Sequence, residues 1–227
     1  MIGRPEPEHA DVLPLSPPLD ETVERRLKLA MDVGERAFSV LMFSILVVTF
    51  LPNLTAAPVN GLLVLSEGLV MVFMVLRRFT QDVSTRPFDW LIALAGTAAP
   101  LLVHPAGSGT HALAPQAVYF GVWLFGVAFS IWGKLTLRRS FGLAAANRGV
   151  VEGGPYMFMR HPIYSGYIMT YIASLLANPL TWNAGLYLCT SIMIIIRVVA
   201  EERVLKADPA YAAFMAKVRY RLAPGLF

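Results

Sequence analysis

Long apolar runs separated by short polar breaks dominate this chain. Runs near residues 37–57, 59–76, 88–104, 115–135, 163–180 and 183–200 predict six helices that cross or enter a bilayer, since a span needs roughly 20 residues at 1.5 Å each. The first two nearly touch, which predicts a tight hairpin around Pro52 and Pro58, and the last two predict a second helical hairpin. Residues 20–36 read differently. Asp20 can cap, Glu21 and Glu24 sit in the first turn, and Val23, Leu27, Leu29 and Met31 alternate with Arg25, Arg26 and Lys28. That pattern predicts an amphipathic helix lying on the membrane surface. Residues 202–220 carry Val204, Leu205, Tyr211, Phe214, Met215 and Val218 among charges, predicting a second amphipathic helix at the C-terminus. The expected fold class is therefore all-α: a polytopic integral membrane protein with about six membrane-embedded helices.

Four regions follow from this pattern. Residues 1–19 are proline-rich and lack apolar periodicity, so a flexible tail is expected. Residues 20–36 form the interfacial helix, 37–110 the N-terminal transmembrane helices, and 111–227 the region that holds the candidate chemistry. The polar connection 136–162 is the longest between spans, and a connection of that length in a compact chain usually has a function.

Composition agrees with the pattern and adds a direction. The chain is 56% hydrophobic and 15% charged, whereas a soluble domain is nearer a quarter charged; its mean hydropathy is +0.57. All 19 Lys and Arg lie within residues 4–36, 77–86, 134–160 and 197–221, and the connections around 52–58, 104–114 and 178–183 carry none. Basic residues favour the cytoplasmic side, so a multi-pass protein with both termini and the site in the cytoplasm accounts for every one. The net charge of +4 then reflects topology and anionic headgroups rather than nucleic acid. The first residues are acidic and proline-rich, which predicts no signal peptide. Cys189, the only cysteine, excludes an intrachain disulfide and is expected as a small buried hydrophobe. No internal repeat is visible, which weighs against an inverted-repeat transporter.

The chemistry concentrates in two clusters. One is the polar island Gly154-Pro155-Tyr156-Met157-Phe158-Met159-Arg160-His161-Pro162-Ile163-Tyr164-Ser165-Gly166. The other is Arg197 with Glu201 and Glu202 at the end of the last apolar run. Charge at the edge of hydrocarbon is costly, so what persists there usually serves an ion, substrate or cofactor. Arg197 and Glu201 are one helical turn apart and predict a preformed zwitterionic site, with Glu202 pointing elsewhere. Pro162 suits a first helical turn and pushes His161 out of helical geometry. Gly166 allows a close approach by a helix or a ligand. Glu67 is the only acid deep in an apolar run; it recognises a cationic headgroup, is protonated, or pairs with a polar group on a neighbouring helix. The four histidines are scattered without metal-ligand spacing, so no metal is expected.

The order Gly154-Pro155-Tyr156, Arg160-His161-Pro162-Ile163-Tyr164-Ser165-Gly166, Arg197, Glu201-Glu202 and Tyr211 resembles the isoprenylcysteine carboxyl methyltransferase and phospholipid methyltransferase superfamily. The ending Arg219-Tyr220-Arg221-Leu222-Ala223-Pro224 is similar to that superfamily's closing segment, and the resemblance spans roughly residues 115–227. It implies an integral-membrane enzyme that uses S-adenosyl-L-methionine, with a cofactor pocket open to the cytosol and a membrane lipid or lipidated acceptor entering from the bilayer. By position it implies that Arg148, Gly149, Val150, Val151 and Tyr156 contribute to the cofactor pocket, that His161, Pro162, Ile163 and Tyr164 line it, and that Glu201 holds the cofactor's amino group. Arg197 would orient an anionic acceptor such as the carboxylate of an isoprenylcysteine. Apart from the resemblance, an amine or thiol acceptor would call for a base, for which Glu202 or His161 is a candidate, although Glu202 could equally be a supporting or surface residue. Glu67, outside the resembling region, would contact the acceptor on the strength of its intramembrane position.

Two rival readings remain at this level. Integral-membrane steroid-type reductases share a His-Pro-x-Tyr-x-Gly segment but use NADPH, whose extra phosphate Arg138, Arg139 and Arg148 could grip. A non-catalytic scaffold or small transporter would spread polar residues along several spans or repeat them. Oligomeric state and the identity of the acceptor are open in the sequence.

Overall fold

The computed structural model describes residues 20–51, 60–107 and 109–225. The tail expected over 1–19 and the hairpin turn expected around Pro52 and Pro58 lie outside the described residues. Seven α-helices follow in order among the described residues: α1 Glu21–Phe50, α2 Asn60–Leu76, α3 Pro87–Ala98, α4 Gln116–Leu137, α5 Pro162–Ala177, α6 Thr181–Leu205 and α7 Pro209–Lys217. No strand forms there beyond one isolated antiparallel bridge between Val83 and Ala146. The all-α expectation holds.

Local chemistry sets the helix starts. Asp20 caps α1 by accepting from the Thr22 amide at 3.1 Å, and Glu21 and Glu24 complement the dipole in its first turn. Asp208 does the same for α7, accepting from the Ala210 amide at 2.8 Å, with Pro209 next. Pro162 opens α5, and His161 before it is non-helical, at φ −129° and ψ 59°. α4 stops at Arg138, whose φ of 49° no helix continues.

The amphipathic segment and the first span form one helix of 30 residues rather than two elements at an angle. No glycine or proline interrupts the run where they meet, so nothing breaks the backbone ladder; Gly34 alone falls near it and is helical. α1, α4 with its closing turn, and α6 are each long and apolar enough to cross a membrane. α2, α3 and α5 are shorter, at 17, 12 and 16 residues. The outward surface is apolar, with Val48, Leu91, Phe125, Leu188 and Val199 exposed, while Lys134, Glu35, Glu202 and Asn183 are buried. That inversion suits a chain whose surroundings are hydrocarbon. Cys189 falls on the exposed face, not inside as expected; it points away from Asn183, Tyr187 and Thr190, the buried stripe of α6.

α4 and α5 pack closest of all. A Cβ added to Gly166 would meet the Gly126 carbonyl oxygen at 2.6 Å and Ser130 Cβ at 2.8 Å. A Cβ added to Gly126 would meet the Gly166 carbonyl oxygen at 2.8 Å. The two backbones therefore touch, as expected for Gly166, and this crossing fixes the height of the polar island against α4.

Candidate functional site

A polar cleft forms where the 138–162 connection, the start of α5, the end of α6 and α7 meet. Leu137, Phe141, Ile163 and Phe214 provide apolar walls, and Arg148, His161 and Glu201 provide the polar groups. The cleft has a free volume of about 100 Å³ and about 780 Å³ of empty space counted out to its open mouth. Its loop is tied internally: the Ser140 hydroxyl donates to the Arg148 carbonyl at 3.0 Å, and the Gly149 amide donates to Asn147 Oδ1 at 3.0 Å. Gly149 turns at φ +98°, a conformation L side chains rarely adopt. Val150 and Val151 follow as lining residues. Tyr156 lies buried on the turn Gly154–Met157 against Tyr211, Phe214 and Val218. Burial raises the Tyr156 and Tyr211 phenols, so both stay neutral donors. For Arg148, burial and the neighbouring Arg77 charge lower the guanidinium to about 10.

Glu201 and Glu202 leave α6 in different directions. Glu201 borders the cleft, its side chain 20% exposed, with Oε2 3.6 Å from His161 Nδ1. Glu202 is sealed off. Arg160 Nε donates to one of its oxygens at 2.7 Å and Arg221 Nε to the other at 2.9 Å. Arg160 also donates to the carbonyls of Val218 and Arg219, both at 2.8 Å. The amides of Arg160 and His161 donate to Tyr220 and Arg221 carbonyls at 2.9 Å each. Glu202 and Arg160 thus clamp the closing segment against the start of α5. Both oxygens of Glu202, the residue expected as a base, are engaged, and it borders neither cavity. His161 sits between the two acids, with Nε2 3.5 Å from Glu202, too far for a well-formed hydrogen bond. Burial opposes its protonation, but the two carboxylates outweigh this and raise its pKa.

Arg197 faces a second cavity of about 320 Å³ among α1, α2, α3, α4, α5 and α6. Phe43, Leu46, Phe50, Leu63 and Trp123 line its apolar length, and Arg197, Tyr167 and Glu67 lie at its polar positions. The zwitterionic pair expected of Arg197 and Glu201 does not form, because Tyr164 stands between them. The Tyr164 hydroxyl donates to Glu201, and the Arg197 guanidinium lies 5.0 Å from the centre of the same ring. Arg197 Nη2 donates to the Leu143 carbonyl at 3.0 Å, and its buried Nε has no hydrogen-bond partner among the described residues. Tyr164 and the 143–144 backbone therefore form a partition between the cleft and the cavity, with an acid on one side and a cation on the other.

Glu67 pairs with a neighbouring helix and still borders the second cavity. Lys134 Nζ, fully buried on α4, donates to Glu67 Oε1 at 2.9 Å and to the Ser66 hydroxyl at 2.8 Å, 5.0 Å from the Tyr167 ring centre. Sequence reasoning counted Lys134 among the loop cations; its only signal was a lysine inside an otherwise apolar turn. Glu35 was missed too, hidden at the polar edge of an apolar run. It is buried, 2.7 Å from Arg77 and 3.6 Å from Arg148.

The cleft fits a small molecule with a cationic amino-acid end and a flat apolar portion. Glu201 offers a partly open carboxylate, and the apolar walls offer a shelf. Residues 110–208, from before α4 to the end of α6, match the family described as phospholipid methyltransferase. That match agrees with the superfamily resemblance of the polar island and of Arg197, Glu201 and Glu202. No curated protein matches the chain.

Proposed function

We propose that this chain is an integral-membrane methyltransferase that takes S-adenosyl-L-methionine in the polar cleft and an anionic, lipid-like acceptor in the apolar cavity. Transfer would need the donor's methyl and the acceptor oxygen in direct contact, so the two ligands would have to meet beside Tyr164. The observation that carries this reading is the placement of Glu201 and Arg197 on either side of Tyr164, Glu201 bordering the cleft and Arg197 the cavity. A bound sulfonium donor supplies an activated methyl group whose displacement needs no metal or covalent nucleophile. Glu201 holds the donor's amino group, while Arg148, Gly149, Val150, Val151 and Tyr156 form the loop wall and His161, Pro162 and Ile163 the helix-start wall. Arg197 orients the acceptor, Tyr164 keeps the two charged groups apart, and the surrounding helices exclude water.

A carboxylate acceptor of the isoprenylcysteine type is favoured over an amine. Arg197 gives the second cavity a positive charge, while the carboxylate of Glu67 is already paired with Lys134. A carboxylate is also nucleophilic without losing a proton, and Glu202 has no oxygen free to take one. The charge pattern of the sequence supports a cytoplasmic cleft, where a soluble donor is available.

Purified protein incubated with radiolabelled S-adenosylmethionine, in separate arms with an S-farnesylcysteine carboxylate and with phosphatidylethanolamine, tests the reading. A base-labile labelled ester in the first arm is expected. Label on the phospholipid amine would replace the acceptor proposed here. Binding of NADPH in place of the methyl donor would overturn the reaction class, and binding of neither would favour a scaffold.

A further inference from the structure

The partition between the cavities is held from outside the matched region, by α1. Glu35 Oε1 accepts from the Leu143 amide at 2.6 Å and from the Ala144 amide at 3.0 Å. The Leu143 carbonyl, on the same residue, accepts from Arg197 Nη2 at 3.0 Å. Leu143 borders the apolar cavity and Ala144 the polar cleft. Glu35 is itself pinned by Arg77, which also pairs with Asp32 on α1. Glu35 is 1% exposed, and its second oxygen has only the Arg148 guanidinium near it, at 3.6 Å. A buried carboxylate is costly unless it is used. This one joins α1, α2, the loop wall and, through one peptide unit, the acceptor-facing arginine.

We infer that Glu35 is a positioning residue for methyl transfer, setting Arg197 at the height of the donor cleft through the Leu143–Ala144 backbone. The inference rests on the proposed methyltransferase reading, but part of its test does not. A displacement of the orienting group by an ångström is enough to cost about a hundredfold in rate, so a single backbone link of this kind matters. Glu35→Ala removes the oxygen that both amides use. Glu35→Gln keeps that oxygen and leaves Arg77 its partner Asp32, so it separates hydrogen-bond acceptance from charge.

Amide hydrogen exchange of the 141–146 segment and the acceptor KM are measured for wild type, Glu35→Ala, Glu35→Gln and Glu35→Asp. Asp89→Asn, which removes the ion pair between buried Asp89 and partly exposed Arg203, bordering neither cavity, is the control for general loosening. Glu35→Ala is expected to speed exchange at Leu143 and Ala144 and to raise the acceptor KM by about tenfold, with Glu35→Gln restoring most of both. Glu35→Asp, which keeps the charge but withdraws the oxygen by one methylene, is expected to fall between them, and it decides the matter if Glu35→Ala does not fold. Unchanged exchange at Leu143 and Ala144 in a folded variant would overturn the inference. So would a KM rise equalled by Asp89→Asn. If wild type transfers no methyl group, the proposed function falls while the exchange measurement still decides whether Glu35 holds the partition.

Discussion

At the scale of single residues, Tyr164 organises the site by keeping Arg197 and Glu201 apart. Two charged neighbours on one helical face would ordinarily pair; here each is turned to its own cavity. Glu201→Gln and Arg197→Ala are each expected to abolish methyl transfer while leaving the melting temperature in detergent near that of wild type. Donor affinity by calorimetry should fall chiefly for Glu201→Gln. Wild-type rates in both variants would dismiss the partition as the reaction centre. Glu202 belongs to a different category. Removing it strands buried Arg160, so Glu202→Ala should cost about 3 kcal/mol of stability and loosen the closing segment, whatever happens to turnover. His161 adds a pH dependence whose sign follows from its partners. Its folded pKa is raised above the ordinary 6.5, so its contribution to stability is whole below that value and fades as pH rises through the elevated one. Melting from about pH 5.5 to about pH 9 should show a gap between wild type and His161→Phe that narrows with rising pH. A constant gap would mean that His161 is not protonated between the two acids.

At the scale of elements, the crossing of α4 and α5 sets the register of everything above it. Gly126 and Gly166 sit backbone to backbone, and Ser130 closes the same contact. Gly166→Val has no room, and forcing the helices apart should cost about 2 kcal/mol and move Ile163 and Tyr164 off the cleft wall. Both losses are read together, by melting and by donor affinity. Gly185, whose Cβ would meet nothing, is the control, and Gly185→Val should change neither. α1 shows the limit of pattern reading. Its amphipathic and apolar halves differ in composition, which predicts two environments. The backbone nevertheless runs unbroken, because adjacent environments do not require a break in the ladder.

At the scale of the whole molecule, topology is the open quantity that the sequence speaks to most directly. In a chain whose Cys189 is replaced by Ser, cysteines introduced at the exposed positions Ala106 and Gly153 should label from opposite sides with an impermeant thiol reagent, Gly153 from the cytoplasmic side. Labelling of both from one side would remove the argument that the cleft opens to cytosolic donor. Much of this chain was legible beforehand. Apolar run length and the segregation of 19 cations marked an all-α membrane protein, and the polar island with Arg197, Glu201 and Glu202 marked the region matched as phospholipid methyltransferase. These signals are legible because they are local: a period, a run, or a motif within one or two turns. Which acid faces a ligand and which is a buried clamp was not legible, since Glu201 and Glu202 are adjacent in sequence and differ only in what comes to meet them. Glu35 and Lys134 were hidden for the same reason. Their partners lie 108 and 67 residues away, and a buried charge announces its use only when the fold brings its counterpart to it.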